Sequence, residues 1–336
     1  MSVRARLAAA FDGRPDPAAV PAASLALAVD AAEVTAAWGV ADGTLFQAAS
    51  ISKPVAAMAV LRLVAQGRLS LDADVNQYLT SWHLPGQAGA APVTIRHLLS
   101  HTGALTVSGF PGYERDEALP SLPEILDGRP PASTPPVRRE GTPGEAHRYS
   151  GGGYCVLQQL LEDVTAQPFA GLAADLVLRP AGMTTATYAE PDRSDAATPQ
   201  VDGQPVAWHA YPEHAAAGLW CAPADLVRFG RAVQAAIAGD AGALLPRELA
   251  VEMVTPQAGG WGLGLMLSGN GADRQFGHGG GNYGYQCALI GTAFSRRTVA
   301  VMTSSDRGLP AIWTLLAAVR DATAWPGLPT SEDDWQ

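Results

Sequence analysis

The stretch from Lys53 to Gly67, KPVAAMAVLRLVAQG, constrains this chain more than any other. It is apolar nearly all round, and a helix without a polar face must be buried on every side. Pro54 falls in its first turn, where a missing N–H costs nothing, and Gly67 closes it. The rest of the chain must therefore wrap a central helix. With 336 residues, 47% hydrophobic and 16% charged, it holds enough apolar material for one large domain or two intimate ones.

Strand signals lie at the two ends. Ala22 to Val29 (AASLALAV) and Val34 to Val40 read as a hairpin about a turn at Asp30 to Glu33. Gly262 to Ser268, Arg274 to His278, Tyr285 to Thr292 and Arg297 to Thr303 read as a meander, with Pro310 to Thr323 as a closing helix. Between them, Leu69 to Glu213 is rich in Pro and Gly. Thr94 looks like an N-cap for IRHLLSH, and Gly103 to Gly144 reads as a long structured loop. Tyr154 to Val164, Phe169 to Leu178 and Ala222 to Ala238 read as helices, the last with Pro223 at its first position. This order predicts an α+β fold. One antiparallel sheet is built from both termini (1–68 and 240–336) and flanked by helices, with a mainly helical lobe (69–239) inserted. No internal repeat is visible, and Pro326 to Gln336 reads as a frayed acidic tail.

Several function classes are excluded at this level. The net charge is −10 and the basic residues form no run, so nucleic acid and anionic membranes are poor partners. No stretch approaches a membrane span. The opening MSVRARLAAAFDGRPDP has too short an apolar core for a secretory signal and reads as a short amphipathic helix, which points to a soluble, cytoplasmic chain. Cys155, Cys221 and Cys287 are widely spaced with no CxxC pair, so buried free thiols are expected rather than a disulfide framework or zinc ribbon. His97, His101, His147, His209 and His214 lack metal spacing and read as ordinary polar or loop residues. There is no phosphate loop. No metal and no organic cofactor is expected.

Three segments carry chemistry. In Ser50-Ile51-Ser52-Lys53 the serine and lysine are three apart at a helix start and share a face. A serine hydroxyl is a weak nucleophile until a neighbour takes its proton, and desolvation favours the uncharged amine that can do so. The helix N-terminus adds N–H groups suited to an oxyanion. In Tyr149-Ser150-Gly151-Gly152-Gly153-Tyr154 the glycines allow a tight turn and close backbone approach, holding Tyr149 near a cation. In Gly277-His278-Gly279-Gly280-Gly281-Asn282-Tyr283-Gly284-Tyr285 three glycines match GxGxxG formally. The next residues, QCALIG, read as strand rather than helix, so a substrate-lining strand edge is the better reading than a dinucleotide site.

Taken together, the three segments resemble the class C β-lactamase and penicillin-binding-protein superfamily, and within it the group of esterases, D-aminopeptidases and related acyltransferases. FQAASISKPVAA is similar to that family's nucleophile helix, and HRYSGGGYCVLQQLLEDVTAQPF to its tyrosine motif. FGHGGGNYGY is similar to its third motif, and VTIRHLLSHTGAL, GFPGY and YPEHAAAGLWCAPADLVRF to segments between. The resemblance spans roughly Ala22 to Ser305. It implies Ser50 as the acylated nucleophile, Lys53 as its hydrogen-bonded general base and Tyr149 as the proton relay to the leaving group. It further implies an oxyanion hole from the N–H groups of Ser50 and Gly281, with His278, Gly280, Gly151 and Asn282 about the substrate.

Two positions depart from the β-lactamases. Gly151 stands where they carry Asn, and His278-Gly279 stands where they carry Lys-Thr. A histidine is a weaker, pH-dependent anchor for a lactam carboxylate than a lysine. The expected substrate is therefore an ester or small amide rather than a β-lactam. An acyltransferase of small-molecule biosynthesis would use the same apparatus, and a non-catalytic binding protein would not need all of Ser50, Lys53 and Tyr149. Glu213 reads as a pocket or structural residue, and Trp208, Trp220 and Trp261 as core or cleft-wall residues.

Overall fold

The first apolar run is a strand, β1 (Ala23–Val29), covered on both faces. Leu25 and Leu27 point into one hydrophobic cluster, Ala26 and Ala28 into another, which is why the run lacks polar alternation. The computed structural model describes residues 20–86 and 91–335. The amphipathic helix expected at the N-terminus lies outside them.

A tight turn joins β1 to the half-exposed β2 (Ala32–Trp38). The later strands are β3 (Met266–Ser268), β4 (Gln275–Asn282), β5 (Tyr285–Thr292) and β6 (Arg297–Thr303). The sheet runs β2-β1-β6-β5-β4-β3, with every neighbouring pair antiparallel. Its two halves meet along β1 and β6, from Ala23 opposite Thr303 to Val29 opposite Arg297. The α+β class and the sheet built from both ends follow the strand order in the sequence. β4 runs on to Asn282, through glycines that sequence patterning leaves outside the strand.

Five helices place the site: α1 (Ser52–Ala65), α2 (Gly151–Thr165), α3 (His214–Ala217), α4 (Pro223–Ala238) and α5 (Leu309–Thr323). α1 is the central helix. Every residue from Ser52 to Leu61 is buried, and it packs against α2 and α3. The helix that the sequence assigns to the inserted lobe, α4, lies on the sheet against β1, β5 and β6. Gly230 permits that approach, since a Cβ there would stand 2.5 Å from Thr298 Cγ2. On the opposite face α5 sets Ile312, Leu315, Leu316 and Val319 against Leu25, Leu27, Ile290 and Val299.

Two expectations are corrected. Gly151 to Gly153 are not a turn but the first turn of α2, with Ser150 as cap: its Oγ accepts from Gly153 N at 3.0 Å. The C-terminal tail is not wholly frayed. Leu328, within it, is 3% exposed and packs in the α5 cluster beside Trp325, which immediately precedes the tail. Thr94 does cap the helix Ile95–Leu99, paired reciprocally with His97. No helix among the described residues is long and apolar enough to cross a membrane.

Candidate active site

Ser50 sits in a single 3₁₀ turn, Ala49–Ile51, just before α1. Ala49 has φ 49°, a left-handed conformation that a residue with a side chain holds only when its surroundings enforce it. Four hydrogen bonds do so. Ala48 N donates to Leu219 O at 2.8 Å and Ile51 N to Ala48 O at 2.9 Å. Ser52 Oγ donates to Ala49 O at 2.6 Å while accepting from Leu219 N at 3.0 Å. β4 closes on the same turn at Gly280, where a Cβ would come within 2.6 Å of Ala48 O. Glycine at 280 is thus a condition of strand and turn touching.

Lys53, the second residue of α1 and one turn on from Ser50, is 2% exposed. Its Nζ donates to Ser50 Oγ at 3.0 Å and to Ala216 O at 2.9 Å. The carbonyl, near the end of α3, fixes the amine behind the serine. Tyr149 completes the group, with Lys53 Nζ 5.0 Å from its ring centroid. Ser50, Tyr149, His278, Gly279, Gly280 and Gly281 line one cleft of about 340 Å³, with Trp261, Met266, Leu309 and Trp313 among its walls. A larger cavity, about 610 Å³, opens beside Glu114, Arg115, Trp208 and Tyr283, but it holds none of the reactive groups.

The ladder explains why the glycine strand faces the cleft. Asn282 and Tyr285 flank a two-residue turn and form a hydrogen-bonded pair. By antiparallel alternation, Gly281 and Gly279 then direct their N–H and C=O groups away from β5. β3 stops pairing at Gly277, so these groups lie on a free edge beside Ser50.

Histidine chemistry departs from the sequence expectations. His278 is 3% exposed. Its Nδ1 meets Gly279 O at 2.5 Å, and a carbonyl only accepts, so Nδ1 carries the proton. Burial, and then the nearby Lys53 charge, push the imidazole down from 6.5 to about 3. A histidine that becomes a cationic anchor near pH 6 is therefore replaced by a neutral ring whose buried Nε2 has no hydrogen-bond partner among the described residues. His101 is no ordinary loop residue either. It is 2% exposed, accepts from Ser150 N at 3.1 Å and lies against Tyr149 with ring centroids 4.3 Å apart. Burial and Lys53 hold it well below the usual imidazole range. Trp261 packs edge-on to both His101 and His278, closing an aromatic cage around Tyr149.

Two proposed substrate residues are not in the cleft. Asn282 spends its amide on Gln47 Oε1 at 2.8 Å and Ala217 O at 3.1 Å, bracing the turn before Ser50. Gly151 is buried under Phe110, whose Cε2 would stand 2.8 Å from an added Cβ. Phe110 falls in the segment GFPGY, but nothing in that segment marks its place over Gly151, and no sequence signal puts Leu309, Ile312 and Trp313 in the cleft wall. All three cysteines are buried and free. No group of three or more His, Cys, Asp or Glu side chains that would hold a metal occurs among the described residues.

A family model described as Beta-lactamase matches residues 7–322. Esterase EstB of Burkholderia gladioli is 38% identical over 182 residues, 49% of this chain and 43% of the esterase. Penicillin-binding protein 4* of Bacillus subtilis (strain 168) is 29% identical over 164 residues, 45% of this chain and 32% of that protein. The matches thus span less than half the length of these curated relatives. A crystal structure of SurE superposes with a TM-score of 0.74 at 27% identity, covering 95% of this chain and 76% of that one.

Proposed function

Because this chain belongs to the Beta-lactamase family, we propose that it is a serine hydrolase that cleaves an ester or small amide through an acyl-enzyme on Ser50. One observation carries the reading: Lys53 Nζ lies 3.0 Å from Ser50 Oγ, held by Ala216 O, behind a serine that lines an open cleft. As the free amine, Lys53 takes the Ser50 proton while Oγ attacks the substrate carbonyl carbon. The N–H groups of Ser50 and Gly281 receive the oxyanion. The bond to the leaving oxygen or nitrogen breaks as Tyr149 supplies a proton to it. Water then attacks the acyl carbon, losing its proton to the same pair, and Ser50 regains its own as the acid departs. The likeness to an esterase favours esters. The neutral His278 and the filled space at Gly151 weigh against a lactam carboxylate and its acyl side chain.

A slow substrate or a fluorophosphonate should leave one adduct on the intact protein, mapping to the peptide around Ser50 and absent in Ser50→Ala. An adduct on Ser52, Ser150 or a cysteine would reject the assignment. A short-chain p-nitrophenyl ester should outpace a chromogenic cephalosporin in kcat/KM.

A further inference from the structure

The cleft does not end at the catalytic groups. Residues opposite one another in the β4–β5 ladder share a face of the sheet. His278 lies opposite Leu289 and Gly280 opposite Cys287, on the side of the nucleophile turn. Gly279 lies opposite Ala288 and Gly281 opposite Gln286, on the side covered by α5. Both positions that would project toward α5 therefore lack a side chain. A Cβ at Gly279 would meet nothing closer than Cys287 O at 3.9 Å. The space left open continues around the strand edge to Ala288, Leu309, Ile312 and Trp313. Leu309 is 37% exposed, a large apolar side chain at the mouth of this passage.

Its position relative to the chemistry gives it a role. The oxyanion donor Gly281 lies two residues from Gly279, and the direction from 281 to 279 leads toward Tyr149, His278 and Trp261. A group leaving toward the Tyr149 proton passes over Gly279. Among the described residues, none that lines the cleft is a Lys, Arg, Asp or Glu.

We propose that this groove binds the leaving group and selects a neutral, apolar alcohol or amine moiety over one that carries a carboxylate. The inference rests on the Ser50 acyl-enzyme reading. In the step, the carbonyl carbon exchanges its bond to the leaving oxygen or nitrogen for one to Ser50 Oγ, and the apolar alcohol or amine departs with the Tyr149 proton.

The test is a crossed series with purified protein. Butyrate esters of methanol, hexanol and glycolic acid vary the leaving group, and methyl esters of butyric and octanoic acid vary the acyl group. The expected result is a hexyl over methyl preference in kcat/KM of at least about tenfold, the scale of a few buried methylenes, with the glycolate ester slowest. Gly279→Val, which fills the passage, and Trp313→Ala, which removes a wall, should each shrink the hexyl/methyl ratio severalfold. A flat leaving-group series, a preference confined to the acyl chain, a fastest glycolate ester, or a ratio unchanged in both variants overturns the groove. Hydrolysis that survives Ser50→Ala instead overturns the serine reading on which it rests.

Discussion

A hydroxyl becomes a nucleophile through what stands within hydrogen-bond reach of it, and at Ser50 that is Lys53. Replacing Lys53 by Ala or Tyr149 by Phe should lower the acylation rate by at least about 100-fold, the scale of a lost general base or acid. The Tyr149→Phe chain should still fold, because the ring keeps its contacts with His101 and Trp261. Burst kinetics and a thermal melt check both halves; near-normal rates for Tyr149→Phe would make that ring structural only. The serine and lysine are legible in sequence because both sit on one helical turn. Ala216 O is not, because a backbone carbonyl 163 residues away leaves no mark of its own on residue type. His278 shows the same limit. Its identity is visible, but its charge depends on burial that only packing supplies. With its pKa held at about 3, anionic ligand binding should show no gain between pH 7 and 5. Inhibition by a small carboxylate, measured across that range in wild type and His278→Ala, tests this. A rise near pH 6 that the variant loses would restore the cationic anchor.

At the scale of elements, the start of α2 is half legible. Three successive glycines announce close approach, and in sequence they read as a turn because glycine is a poor helix residue. The helix wins because Ser150 caps it and because neighbouring chain fills the space. A Cβ at Gly152 would stand 2.9 Å from Thr106 O, and one at Gly151 would meet Ser108 O at 3.0 Å as well as Phe110. Inserting the amide that β-lactamases carry there should therefore fail as a graft. Gly151→Asn is expected to destabilise the protein by about 1–3 kcal/mol through overpacking, with no gain in cephalosporin turnover. Adding Phe110→Ala should recover part of the loss. Urea midpoints of the single and double variants measure it, and an unchanged midpoint for Gly151→Asn would mean that Phe110 moves aside freely. The end of β4 is hidden in the sequence for a related reason. Glycines weaken strand propensity, yet the register with β5 carries them to Asn282.

For the whole molecule, the sheet from both ends is legible because apolar runs mark buried strands wherever they fall. The buried titratable groups are not, and they govern how stability responds to pH. Glu213 is fully buried, its Oε2 has no partner among the described residues, and burial raises it from 4.5 to about 7. Unfolded, this carboxyl releases its proton near 4.5; folded, it keeps it to about 7. Its stabilising contribution is thus complete below 4.5 and lost as pH rises through about 7, a difference on the order of 3 kcal/mol. The buried imidazoles act in the opposite direction. His278, at about 3, and His214, at about 4, stay neutral in the fold while the unfolded chain takes up protons below 6.5. Burial shifts His101 and His147 the same way. Five imidazoles, His97 included, stand against two carboxyls raised by burial, Glu213 and Glu162, and predict a wild type that loses stability on acidification from pH 7 to 5. Glu213→Gln keeps the shape and removes the carboxyl's titration. It should be more stable than wild type at pH 8 by up to about 3 kcal/mol, and this advantage should vanish by pH 4. Denaturant unfolding of both proteins at pH 4, 6 and 8 measures the difference. A gain that is the same at all three values would mean that Glu213 does not change ionisation between the folded and unfolded states.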